Sequence, residues 1–213
     1  MIRITQQTDW VVYIIVGCIF LYIFMLISLR RDSSVREFLL QKFPDSTNNF
    51  LSWLIIGFVF SLVFAAFISQ YVPVIPKRIS ELQILGWELN KFGFTLMTVL
   101  GFYLVKNLLT YLFFAGTASL PRWEKFYFSA SKFYFVFSLV LMVLCIVTYF
   151  YDFEPVQMFG YYLAGISVVF FFKQLYYFLH PGAILPQQWY YKLLYICSLQ
   201  IVPVMVLWRV LFF

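Results

Sequence analysis

Polar residues are sparse along this chain, and where they gather they divide it into six apolar runs. The runs cover residues 10–29, 50–71, 92–115, 133–151, 156–179 and 189–212. About 20 residues of α-helix, rising about 1.5 Å each, cross the hydrocarbon core of a bilayer. A barrel strand would alternate apolar and polar side chains, and no such alternation is present. A helix also satisfies its own backbone groups in lipid. The pattern therefore predicts an all-α fold, a polytopic transmembrane bundle of six spans forming one integral membrane domain over residues 1–213.

The segments between the runs carry their own patterns. The first run is too long for the apolar part of a signal peptide and is followed by "RRDSS" without a small-residue cleavage site, so it is expected to stay as an anchor. In "SSVREFLLQKFPD", Ser34 stands three residues before Glu37, the spacing of a capping box. Val35, Phe38 and Leu39 share a face and Pro44 ends the pattern, which predicts a short amphipathic helix over 34–43 on the membrane surface. In "LPRWEKFYFSASKF", Arg122, Lys125, Ser129 and Lys132 recur every three or four residues opposite Trp123, Phe126, Tyr127 and Ala130. The fourth span is expected to begin with this amphipathic turn, either as a solvated helix end or as a docking surface.

Composition agrees with a lipid solvent. Charged residues make up 11% of the chain and apolar residues 63%, whereas soluble domains carry about 25% charged residues. Nine lysines and arginines flank the first, third and fifth loops and five lie toward the other face, which places those three loops in the cytoplasm and both termini outside. The net charge of +6 is attributed to anionic headgroups, and no nucleic-acid partner is expected. Cys18, Cys145 and Cys197 fall in three different runs with no metal-ligand spacing, and they read as small apolar residues.

Two stretches resemble each other. "KNLLTYLFFAGTASLPRWEKFY" starts at Lys106 and "KQLYYFLHPGAILPQQWYYKLLY" at Lys173. The correspondence pairs Lys106 with Lys173, Asn107 with Gln174, Gly116 with Gly182, Pro121 with Pro186, Trp123 with Trp189 and Lys125 with Lys192. It predicts that spans three to four and five to six are parallel repeats related by an axis along the membrane normal. The single histidine, His180, stands before Pro181 and Gly182 at a turn, and it reads as part of a chain reversal rather than as chemistry.

Lys106 and Lys173 are lysines inside spans, about 14 Å and 9 Å from the inner ends of their runs. No aspartate or glutamate lies well inside a span, so a counterion must come from a loop acid such as Glu124, from a lipid phosphate or from another protein. Two readings stand: both amines snorkel to the interface, or Lys106 and Lys173, with Asn107, Gln174, Lys125 and Lys192, form a contact site for a lipid, an anion or a partner. No catalytic residue, cofactor or metal is expected, because the spans lack the acids and histidines that such chemistry uses.

Helix-packing signals are clearer. Gly57, Ser61, Ala65 and Ser69 form one small-residue face at four-residue steps, and Gly160 and Ala164 repeat it more briefly. Gln200 is expected to donate a hydrogen bond to another helix, with Pro203 kinking the span just beyond it.

The C-terminal stretch "HPGAILPQQWYYKLLYICSLQIVPVMVLWRVLF" resembles a membrane family of Bacteroidota known as domain of unknown function 4271. The resemblance is carried by the His-Pro-Gly turn and by Tyr195, Cys197, Leu199 and Pro203, with Gln200 where the family pattern has glutamate. It implies a multi-pass protein of the bacterial inner membrane. The leading expectation is a non-catalytic subunit or assembly factor of a cell-envelope complex, in contact with other membrane subunits. The lineage that the resemblance implies makes secretion and gliding machinery candidates for that complex. A binder or carrier of an anionic lipid or small anion, using the intramembrane lysines, is the alternative. A lipid-modifying membrane enzyme is the third.

Overall fold

A computed structural model describes residues 9–29, 34–41, 43, 48–72, 83–84, 87–88, 90–151, 154–179, 184–186 and 188–212. Helix α1 spans Asp9–Phe24 and runs on as a π-helical stretch, Met25–Leu29. A short helix α2, Val35–Leu40, precedes α3, Asn49–Ser69. Two two-residue strands, β1 (Gln83–Ile84) and β2 (Trp87–Glu88), pair antiparallel before α4, Lys91–Gly116. Helices α5 (Leu120–Phe150) and α6 (Pro155–Leu179) follow. The last span joins α7 (Trp189–Leu194), a π-helical stretch (Tyr195–Ile201) and α8 (Val202–Phe212). Six helices are thus long and apolar enough to cross a membrane, the signature of a multi-pass membrane protein.

The amphipathic segment before the fourth span is continuous with it. Pro121 sits in the first turn of α5, where a missing N–H costs nothing. The 31 residues of α5 reach about 46 Å, beyond the hydrocarbon thickness, so its basic N-terminal part stands outside the core. The π-helical stretch at Tyr195–Ile201 comes just before Pro203, and the Val202 N–H reaches back to the Cys197 carbonyl. An imino acid cannot donate to the preceding turn, and a wider turn re-satisfies the freed groups.

Helix α2 carries the expected capping box. The Ser34 hydroxyl accepts from the Glu37 N–H at 3.2 Å, and the Glu37 carboxylate accepts from the Ser34 N–H at 2.7 Å. Lys132 Nζ donates to the Leu39 carbonyl at 2.9 Å and to the Gln41 carbonyl, and Phe38 packs edge-on against Phe135. The short helix is therefore held against α5 at its C-terminal end. The backbone N–H and hydroxyl of Ser34 hold the Glu37 carboxyl below its ordinary range. A depressed folded value means that the cap contributes stability above the unfolded glutamate value and loses it as pH falls through the folded one. Amide exchange at residues 35–40 is accordingly expected to accelerate on acidification through that window, and Glu37→Gln should remove the pH dependence.

Helix α3 is the centre of the bundle. Of its most apolar window 61% is buried, against 28% or less in the other five spans. Its small-residue face explains this, since Gly57, Ser61, Ala65 and Ser69 are all buried and let α4 and α5 approach closely. The Ser61 hydroxyl returns to the Gly57 carbonyl at 2.8 Å, and the Tyr149 hydroxyl from α5 reaches the Ala66 carbonyl at 2.9 Å. Gly160 and Ala164 on α6 are instead exposed on the outside of the bundle. Cys18 and Cys145 are buried and Cys197 is exposed, all three as free thiols.

A second, smaller core gathers Phe114, Phe126, Ala130, Tyr177, Ile184, Leu185 and Tyr195. Arg122 Nη1 donates to the Leu185 carbonyl at 3.2 Å, so the two Leu-Pro segments of the repeat lie side by side. The His180-Pro181-Gly182 turn falls outside the described residues, as do Arg3, Arg30, Arg31, Lys42, Pro44, Lys77 and Arg78.

Candidate functional site

Three helices bring the polar residues of the membrane interior together. Asn90 starts α4 by accepting from the Gly93 N–H at 2.7 Å, and ten residues before the end of that helix, about 15 Å of rise, stands Lys106. On α6, Lys173 stands six residues before the end, about 9 Å. Helix α5 supplies Phe133 and Tyr134 at the same level.

Lys173 is 5% exposed and its Nζ donates to the Tyr134 hydroxyl at 2.8 Å. The amine also lies 4.1 Å from the Tyr134 ring centre, 4.9 Å from Phe133 and 5.7 Å from Tyr177. Lys106 is 9% exposed, sits 5.9 Å from the Phe102 ring, and has Tyr134 and Lys173 as its electrostatic neighbours. Neither side chain snorkels. Each turns into the bundle, where ring faces attract a cation more than bare hydrocarbon does.

Both lysines line one cavity of about 250 Å³ between α3, α4, α5, α6 and α8. Its walls are otherwise almost wholly apolar, formed by rings such as Phe60, Phe64, Phe137 and Phe170. Among the described residues no aspartate or glutamate lines it. Two amines in a low-dielectric chamber are costly to charge without a nearby counter-charge. Tyr103 is also on the cavity wall, but its hydroxyl is buried against Gly57 of α3, 2.7 Å from where a side-chain carbon there would lie.

Behind Lys173 lies a second polar group. Gln174 Nε2 donates to Gln200 Oε1 at 3.4 Å, and Gln200 Nε2 donates to the Tyr195 hydroxyl. Gln200 therefore does bridge two helices, but as the acceptor of that bond; its own donation stays within its span. The Asn107 amide nitrogen, Gln174 Oε1 and the Tyr177 hydroxyl are buried without partners.

The structure separates the remaining candidates from this site. Lys125 is exposed on the N-terminal part of α5, and Lys192 donates to the Phe178 carbonyl at 3.3 Å near the membrane face. Neither lines the cavity. Sequence reasoning did not single out Tyr134, which receives the Lys173 bond, or Tyr103. Tyr103 carried a signal, since a tyrosine deep in a span marks a polar interior, whereas Tyr134 is the second residue of the fourth run and reads as an ordinary interfacial tyrosine.

A family model described as Domain of unknown function (DUF4271) matches residues 11–211. Neither a curated protein nor a solved structure matches the chain.

Proposed function

The chain belongs to the family described as Domain of unknown function (DUF4271), and from that premise we propose that it is a non-catalytic, membrane-embedded binding protein for an anionic amphiphile. One observation carries the reading: Lys106 and Lys173 converge on a single aromatic-walled cavity that no carboxylate lines among the described residues. An unpaired buried charge is costly, and an anion with an apolar body satisfies both the amines and the walls. The basic loop residues set the frame, with loops one, three and five cytoplasmic, both termini periplasmic, and the inner membrane as the host bilayer.

A second reading rests on α6. Gly160, Ala164 and Gly165 lie exposed on its outer side, and no atom comes within 4 Å of a side chain built at either glycine. Small faces of this kind admit a neighbouring helix, which fits a subunit of an envelope complex.

Gentle affinity purification in a neutral detergent, followed by intact-mass analysis, separates the two. An anionic amphiphile is expected to remain with the wild type and to be lost from the Lys106→Met/Lys173→Met double variant. Retention of the same lipid set by the double variant overturns the binding reading, and stoichiometric protein partners support the complex.

A further inference from the structure

The shape and charge of the cavity narrow the ligand class, an inference that rests on the binding reading above. The lysines stand at one end of the cavity. Along α6 its wall runs from Lys173 back to Phe159, fourteen residues or about 21 Å, and along α8 it runs from Val204 to Phe212 at the end of the chain's last helix. The apolar end thus points toward the face that carries the fourth loop, and the charged end stands about 9 Å from the opposite end of α6.

Charge selects the head. Two lysine amines share this end, able to hold two positive charges once an anion is bound, and no acid lines the wall among the described residues. A carboxylate or a phosphodiester leaves one positive charge uncompensated in a low-dielectric site, whereas a phosphate monoester carries about −1.5 to −2 charges near neutral pH. Its terminal oxygens also need donors. Lys106 and Lys173, both on the wall, supply them. Size selects the tail. A volume of about 250 Å³ is below the usual range of about 300–1,000 Å³ for small-molecule sites, which leaves room for one chain beside the head and not for two.

We propose that the cavity takes a single-chain lipid phosphate monoester, its phosphate between Lys106 and Lys173 and its tail lying between α6 and α8 toward the fourth-loop face. Binding the dianion neutralises both amines, and the aromatic walls replace lipid around the tail. The same phosphate chemistry could arrive as free inorganic phosphate, and the tail distinguishes the two sources.

The test uses the full chain in phosphatidylcholine nanodiscs, titrated with dodecyl phosphate, dodecanoate, dodecanol or inorganic phosphate and read by intact-mass spectrometry and thermal shift. One dodecyl phosphate per chain is expected, with dodecanoate at least about tenfold weaker and dodecanol and inorganic phosphate not retained. Each of Lys106→Met and Lys173→Met should weaken dodecyl phosphate by about tenfold or more, the loss of one charge-assisted contact. Ile166→Trp, which fills the wall between head and tail ends, should weaken it as well. The comparison of probes on the wild type stands whether or not any variant folds. Equal or tighter lysine-dependent binding of dodecanoate overturns the phosphate assignment and leaves the anionic-amphiphile reading in place. Equal binding of inorganic phosphate, or wild-type affinity in Ile166→Trp, overturns the tail assignment. Failure of every anion to bind through the lysines overturns both.

Discussion

Gly57→Ala is expected to lower the thermal stability of the purified protein by about 1–3 kcal/mol, the range for overpacking a tight core. A side-chain carbon built at Gly57 meets Tyr103 Cε1 at 2.6 Å, its hydroxyl oxygen at 2.7 Å and Cζ at 2.8 Å. The ring is fenced in. Trp53 stacks on it at 6.1 Å, and Phe60 and Tyr134 close the sides at 6.5 Å and 5.9 Å. Relief by a small shift would push Tyr103 into the cavity or move α4 off α3. The measurement is a melting curve in neutral detergent. Tyr103→Leu in the Gly57→Ala background should recover much of the loss, because it removes the ring that the new methyl group strikes. Gly160→Ala is the control. Nothing lies within 4 Å there, and alanine is the better helix former by about 1 kcal/mol, so that variant should be unchanged or slightly more stable. A Gly57→Ala protein that melts with the wild type would show that α3 and α4 do not meet at this point.

Lys106→Met, stripped of ligand, is expected to be more stable than the wild type by about 1–3 kcal/mol. Methionine has a similar length and suits an aromatic-walled site. Lys106 places an ammonium group in the membrane interior with Tyr134 and the like-charged Lys173 as its electrostatic neighbours. Replacing poorly compensated buried charge with a well-packed apolar side chain is commonly neutral or stabilising. Binding sites hold such destabilising groups because function requires them. Differential scanning fluorimetry on delipidated protein decides the matter. A gain in melting temperature together with lost anion retention marks a site kept for a ligand. A drop in melting temperature would make Lys106 a structural residue whose amine the fold needs.

The elements were more legible than their neighbours. Apolar run length located the spans because the bilayer imposes a fixed length on a helix, and the ends of α3, α4 and α6 lie within two residues of the expected ones. Ser34 and Glu37 formed their cap because such a bond depends on four consecutive residues and little else. Spacing, by contrast, defines a helix face without saying what meets it. Gly57, Ser61, Ala65 and Ser69 are buried at the centre, while Gly160 and Ala164, with the same four-residue step, face outward. The four lysines paired by the repeat were equivalent in sequence, yet only Lys106 and Lys173 reach the cavity. Which of them turned inward depended on Tyr134, a residue of another helix, 39 positions away from Lys173.

The wide turn at Tyr195–Ile201 also sets the phase of everything after it. A π-helical turn accommodates one residue beyond the α-helical repeat. Deleting a single residue from that stretch would restore the ordinary repeat while leaving the helix unbroken. The eleven residues of α8 would keep their phase, because the wide turn already absorbs the extra residue. Leu207, Trp208 and Leu211 would stay on the wall they build, whereas a one-residue deletion within α8 ahead of Leu207 would turn them by about 100°.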